Sequence, residues 1–258
     1  MHLKAAFIGC LGVFTACSAL TFADDESSAR SYTLSASAAF ATDYMFRGVS
    51  QTMNDPAVHA SFDYTHDNGL FAGIWGSNVD NMDAVDGGPE DDEADQEIDV
   101  YIGYGGALND AWSMDITAIH YIFPGTASGF DLDWTELQLG AHYREYVSLL
   151  IAYSDEVFNL DDQGIYYGIS GSYPLANNGR LPVADSIRLT ASAGYYDLDD
   201  ALDDSYVDWS VGLEADFGMF TARLAYLGAD SSGDDLLGGG EDKADGRFML
   251  SITATLAQ

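Results

Sequence analysis

Cysteine is nearly missing from this chain. There are two, Cys10 and Cys17, both within the first 23 residues. The remainder has none, which excludes a disulfide framework, a thiolate nucleophile and a cysteine metal site there. Proline is scarce, at 5 residues. No segment after Ala23 keeps apolar residues at helical spacing for three turns, so long amphipathic helices are excluded. Positive charge is short as well. Lys+Arg total 9 against 42 Asp+Glu, a formal net charge of −33. Nucleic acid and anionic surfaces need cationic partners, so nucleic acid is excluded as a general ligand. Aromatics, by contrast, make up 13% of the chain, too many for low-complexity disorder, so the chain is expected to fold.

Residues 1–23 read as a cleaved secretory signal peptide. Lys4 supplies the positive start, 5–20 the apolar core, and Thr21-Phe22-Ala23 a small-residue exit before Asp24-Asp25. A competing reading takes Phe14-Thr15-Ala16-Cys17 as a lipoprotein site with Cys17 lipidated; Phe14 fits that motif poorly. Residues 24–258 then form one domain.

What fills that domain is period-two alternation. Twelve candidate strands follow one another, at 32–41, 57–66, 70–78, 96–105, 111–123, 133–143, 147–154, 164–173, 186–196, 206–217, 219–227 and 247–256. The connections alternate. Long ones cover 42–56, 79–95, 124–132, 155–163, 197–205 and 228–246. Short ones centre on Asn68-Gly69, Asn109-Asp110, Arg144-Glu145 and Gly218; the 174–185 connection is longer than this rule wants. An even number of strands with long/short alternation is the layout of an antiparallel up-and-down transmembrane β-barrel, with short periplasmic turns and long external loops. Such strands span a bilayer when tilted. Tyrosines at strand ends (Tyr44, Tyr64, Tyr104, Tyr143, Tyr153, Tyr173, Tyr195 and Tyr226) suit interfacial girdles. The fold expected is all-β: an outer-membrane barrel of about 12 strands with long acidic external loops.

Several blocks resemble the TorF family of porins. They are Asp43-Tyr44-Met45-Phe46-Arg47-Gly48-Val49-Ser50-Gln51-Thr52, Asp55-Pro56-Ala57, Asp63-Tyr64, Gly69 and 73–79 (Gly-Ile-Trp-Gly-Ser-Asn-Val). Later pieces at 101–106, 121–125, 134–137 and 173–175 are similar, more weakly. The resemblance implies an outer-membrane β-barrel and a porin, with no catalytic residue or cofactor to carry over. One departure is the C-terminus, Thr255-Leu256-Ala257-Gln258, where barrel proteins usually end on an aromatic that the assembly machinery reads.

In a membrane barrel the apolar face meets lipid and the small, polar face lines the lumen. On that register Asp63, Glu97, Asp99, Asp115, Glu136, Asp208 and Glu214 line the lumen, opposed by Arg188, Arg223 and Arg47. A porin-like channel for small polar solutes, preferring cations, is the function expected. The alternative is a non-conducting structural or surface-binding barrel whose interior charges pair for stability. Arg47 is either a constriction residue or an ion pair pinning the first long loop. The acidic loops collect cations diffusely, because none of their clusters has EF-hand spacing; no metal site and no cofactor are expected. The partners expected are outer-membrane lipid, small polar solutes or cations, and the barrel-assembly machinery; oligomeric state is open.

No enzymatic activity is expected. His59, His66, His120 and His142 lack metal-ligand spacing, and no serine sits in a G-x-S-x-G context. His142 has no evident serine partner in sequence. Gly238-Gly239-Gly240 lacks the Lys-Ser/Thr of a phosphate loop. An outer-membrane lipid enzyme is a third reading.

Overall fold

The computed structural model describes residues 31–80, 94–125, 132–177, 184–233 and 242–257. The expected signal peptide and lipidation site lie outside them. So do most of the acidic clusters in the loops after 80 and after 233, and the glycine run at 238–240.

Strand follows strand because alternation buries one side chain in two. The wall strands are β1 (Tyr32–Ala41), β4 (Ala57–His66), β5 (Leu70–Asn78), β6 (Gln96–Ala107), β7 (Trp112–Ile122), β8 (Trp134–Tyr143) and β9 (Val147–Ser154). They continue as β10 (Gly164–Asn177), β11 (Ser186–Leu198), β12 (Asp204–Phe217), β13 (Phe220–Ala229) and β14 (Arg247–Ala257). Each pairs antiparallel with its neighbour, and β1 pairs with both β4 and β14, closing the barrel. Closure leaves no unpaired edge. Two further strands, β2 (Met45–Phe46) and β3 (Val49–Ser50), pair only with each other. They belong to the first long loop.

The outer face is apolar. Phe40, Val58, Phe62, Ile74, Ile102, Leu213, Leu224 and Ile252 all point outward and are exposed. In water a continuous apolar belt of this kind is costly; against lipid it is the favourable arrangement. The strands therefore read as membrane-spanning. Tyr104, Tyr143, Tyr173, Tyr153 and Tyr195 are exposed near strand ends, where amphipathic rings sit well at an interface. Tyr44 departs from that expectation. It is buried inside the barrel, its ring 5.3 Å from Trp75 and 5.2 Å from His59.

Two connections differ from the sequence reading. β10 runs on to Asn177 through a register shift between Pro174 and Ala176, which shortens the connection before β11. A bulge is where a strand tolerates proline, since its nitrogen donates no ladder bond. The link between β11 and β12 shrinks to a one-turn helix, α1 (Asp199–Leu202), ended by Asp203 at φ 59°. Aspartate tolerates that left-handed conformation better than most residues.

Candidate functional site in the barrel lumen

The first long loop does not stay outside. After β1 it turns back into the barrel as the β2–β3 hairpin. Its two central residues, Arg47 (φ 47°) and Gly48 (φ 82°), both have positive φ, as a type I′ hairpin turn requires. Gly48 is needed there twice over. A Cβ on it would lie 2.7 Å from Asp208 Cβ and 2.7 Å from the Gly228 carbonyl oxygen, so the turn rests directly on the β12–β13 wall. Arginine in this conformation costs on the order of 1 kcal/mol and persists only because surrounding contacts over-determine it.

Those contacts are specific. Arg47 Nη2 donates to Glu136 Oε2 at 2.6 Å, with both side chains buried. The guanidinium carbon lies 4.2 Å from the Tyr166 ring centre, 4.4 Å from Tyr196 and 4.7 Å from Phe46. Glu136 also accepts from Gln138 Nε2 at 2.7 Å and from the Tyr121 hydroxyl at 3.3 Å. Burial by itself lowers the Arg47 pKa. The Glu136 carboxylate more than offsets this and holds it well above the ordinary arginine value, so Arg47 stays charged.

The hairpin base is tied down separately. Asp43 accepts from Ser50 Oγ at 2.6 Å and from Arg247 Nη1 at 3.2 Å. Burial raises the Asp43 carboxyl pKa; hydrogen bonds from Ser50 and Thr52 and the Arg247 charge pull it part of the way back. The Tyr44 hydroxyl donates to Glu97 Oε1 at 3.2 Å. Burial first, then the Glu97 and Asp99 charges, hold the Tyr44 phenol protonated, well above its ordinary range. Around the hairpin, Tyr44, Phe46, Val49, Tyr121, Trp134, Tyr166, Tyr196 and Tyr206 form one buried cluster. Tyr121 and Trp134 stack at 4.3 Å. The long-loop end of the lumen is thus packed with aromatic side chains. A cavity of about 90 Å³ remains beside the hairpin, lined among others by Arg47, Gln138, Ser192, Asp208, Ser210 and Arg223.

All ten candidate residues project into the lumen, in separate groups. Arg47 and Glu136 meet directly. Glu97 and Asp99 lie together near Tyr44. Asp208 sits under the Gly48 turn. Toward the short-turn end Arg188 bonds Glu214, and its Nη1 donates to Asp216 Oδ2 at 2.7 Å. Arg223 Nη2 donates to Ser210 Oγ at 3.3 Å. Asp63 accepts from the Tyr101 hydroxyl and from Ser61 Oγ, the latter at 2.9 Å. Asp115 bonds His142.

Three features escape the sequence. Arg47 reaches Glu136 rather than the nearby Asp43 or Asp55, because the turn carries it across the lumen. Asp216 completes the Arg188 cluster; continuing the two-residue period from Glu214 would have found it. The absence of a serine partner for His142 is corrected. Ser148 Oγ lies 2.9 Å from His142 Nδ1 across the β8–β9 turn. Among the described residues no group of three His, Cys, Asp or Glu side chains is placed to hold a metal ion.

A model of the family described as "Bacterial protein of unknown function (Gcw_chp)" matches residues 25–256. The chain belongs to that family. The match does not point to the TorF family specifically. No curated protein matches. Solved structures similar to this chain include a KdgM porin, at 7% identity and a TM-score of 0.46, covering 86% of this chain and 98% of the other. The COG4313 outer-membrane channel from Pseudomonas putida F1 matches at 11% identity and 0.45, covering 93% and 100%. LpxR from Salmonella typhimurium matches at 8% identity and 0.44, covering 86% and 99%. The last corrects the expectation that the chain is not an enzyme.

Proposed function

We propose that this chain is an outer-membrane, porin-like channel for small polar solutes, with the β2–β3 hairpin as its constriction and a preference for cations. The observation that carries the reading is the Arg47 turn. It is held in a strained conformation inside the lumen, clamped to Glu136 and stacked among tyrosines. An inward-folded loop that narrows a barrel sets which solutes pass. Cation preference rests on the excess of lumen carboxylates (Asp63, Glu97, Asp99, Asp115, Glu136, Asp208 and Glu214) over Arg47, Arg188 and Arg223. The apolar outer face is the lipid contact, the residue 1–23 leader is the export signal, and delivery to the barrel-assembly machinery follows from both.

The packed aromatic cluster favours a second reading, a barrel closed by its own loop and serving a structural or surface-binding role. Planar-bilayer recording on the purified protein separates the two. Discrete steps with a cation-selective reversal potential are expected, and replacing the partly exposed lumen carboxylate Asp63 by Asn lowers that selectivity. A silent bilayer with correctly folded protein overturns the channel.

A further inference from the structure

The lumen carries a second constellation, toward the short-turn end and apart from the constriction. Ser148, at the start of β9, pairs in register with His142 of β8. Its hydroxyl lies 2.9 Å from His142 Nδ1, and His142 Nε2 lies 2.7 Å from Asp115 Oδ1 on β7. An ionised carboxylate only accepts, so Asp115 places the ring proton on Nε2. Nδ1 then presents a lone pair to the serine hydroxyl, which donates to it. This is the nucleophile–base–orienter relation of a Ser-His-Asp triad, with the roles of the two ring nitrogens exchanged.

Two further observations set it apart from an ordinary polar contact. Gly140 is the register partner of Asp115, and a Cβ there would lie 2.5 Å from Asp115 Oδ1 and 2.9 Å from His142 Nε2. The wall is cut back where the histidine–carboxylate bond forms. Solvent also reaches the group: the His142 and Asp115 side chains are 30% and 17% exposed, against 6% and 2% for Arg47 and Glu136.

We propose that Ser148, His142 and Asp115 form a hydrolytic site for carboxylic esters small enough to enter the lumen. Ser148 Oγ adds to the ester carbonyl carbon and gives its proton to His142 Nδ1. Asp115 holds the resulting imidazolium through Nε2–H. Collapse breaks the bond to the alkoxy group, which leaves as the alcohol carrying the His142 proton. Water, deprotonated by His142, then cleaves the acyl-serine to the carboxylic acid and restores Ser148. The proposal is independent of conduction: a conducting barrel that fails the test below keeps the channel and loses this site, and a silent barrel that passes it does the reverse.

The test is covalent labelling of the full chain, folded in detergent micelles, with a fluorophosphonate, whose fluoride Ser148 Oγ displaces. Heat-modifiable gel mobility verifies folding of every variant. Peptide mass spectrometry is expected to place one adduct on Ser148. Ser148→Ala, the smallest change available, removes the adduct. His142→Gln reduces labelling to background, and Asp115→Asn slows it more than roughly 100-fold by releasing the tautomer. Ser37→Ala, at a lumen serine 2.9 Å from another serine with no histidine beside it, labels at the wild-type rate. Hydrolysis of p-nitrophenyl acetate follows the same order. A folded wild type that takes no adduct, or one labelled equally fast after His142→Gln, overturns the proposal.

Discussion

Replacing Arg47 by alanine tests the constriction most directly. The mutation removes the 2.6 Å bond to Glu136 and the stacking on Tyr166 and Tyr196. A hydrogen bond between charged groups contributes about 1.5–3 kcal/mol, and each cation–π contact roughly 0.5–2 kcal/mol when desolvated. Removing one partner of a buried ion pair costs about 3–5 kcal/mol by mutational precedent, in the same range. The loss falls on the docking of the hairpin. The barrel ladder, which closes through β1–β4 and β1–β14, keeps its own hydrogen bonds. At about 1.4 kcal/mol per factor of ten, the docked-to-free ratio of the loop drops more than roughly 100-fold. The assay is paired. Single-channel conductance is expected to rise, and a spin label at Gln51 to become mobile, while heat-modifiable mobility stays that of a folded barrel. The double variant Arg47→Met with Glu136→Leu should hold the loop better than Arg47→Ala, because no buried charge is left unpaired. Unchanged conductance together with an immobile label would refute the reasoning, because the hairpin would then be held by its aromatic packing alone.

Three further outcomes follow from the same geometry. Arg188→Ala removes the cation bonded to fully buried Glu214 and to Asp216, leaving Arg223 on the neighbouring strand as partial compensation, and should destabilise the barrel by about 1–3 kcal/mol in urea unfolding from lipid vesicles. Gly194→Ala puts a methyl group into the Tyr166 hydroxyl and Asp208 Oδ2, and should loosen the tyrosine stack under Arg47 at a cost of roughly 1–3 kcal/mol, read as loop mobility. Acidification should tighten the hairpin base. Burial raises the Asp43 pKa above its free value of 3.8, so the folded loop favours the protonated carboxyl. That contribution is complete below the free value and fades as pH rises through the raised one. The Gln51 label is therefore expected to be less mobile near pH 4 than at pH 7, and Asp43→Asn should reduce the difference.

The strands were legible because their signal is local. Alternation in segments such as Ala57–His66 dictates facing one residue at a time, and Asn68-Gly69 marks its turn with no help from the rest of the chain. The same counting put the nine charged candidates on the wall strands on one face; Arg47, in a loop, has no strand period to count. The pairing of those charges did not follow. Arg47 and Glu136 are 89 residues apart, and their meeting depends on a loop folding inward and on barrel closure. Tyr44 reads in sequence as a girdle residue. Only the inward turn of its loop makes it a buried donor to Glu97.

His142 shows the same division. By itself the sequence established that it belongs to a β-strand lining a lumen, and that the chain alternates through twelve strands with long and short connections. Strand register decided that Ser148 and Asp115 flank it, since hydrogen-bond rows cross strands sideways and bring together residues that no local pattern links. Tertiary structure alone also decided that the first loop fills the barrel mouth. Period-two alternation specifies which way a side chain faces; it carries no information about where a loop goes once it leaves the sheet.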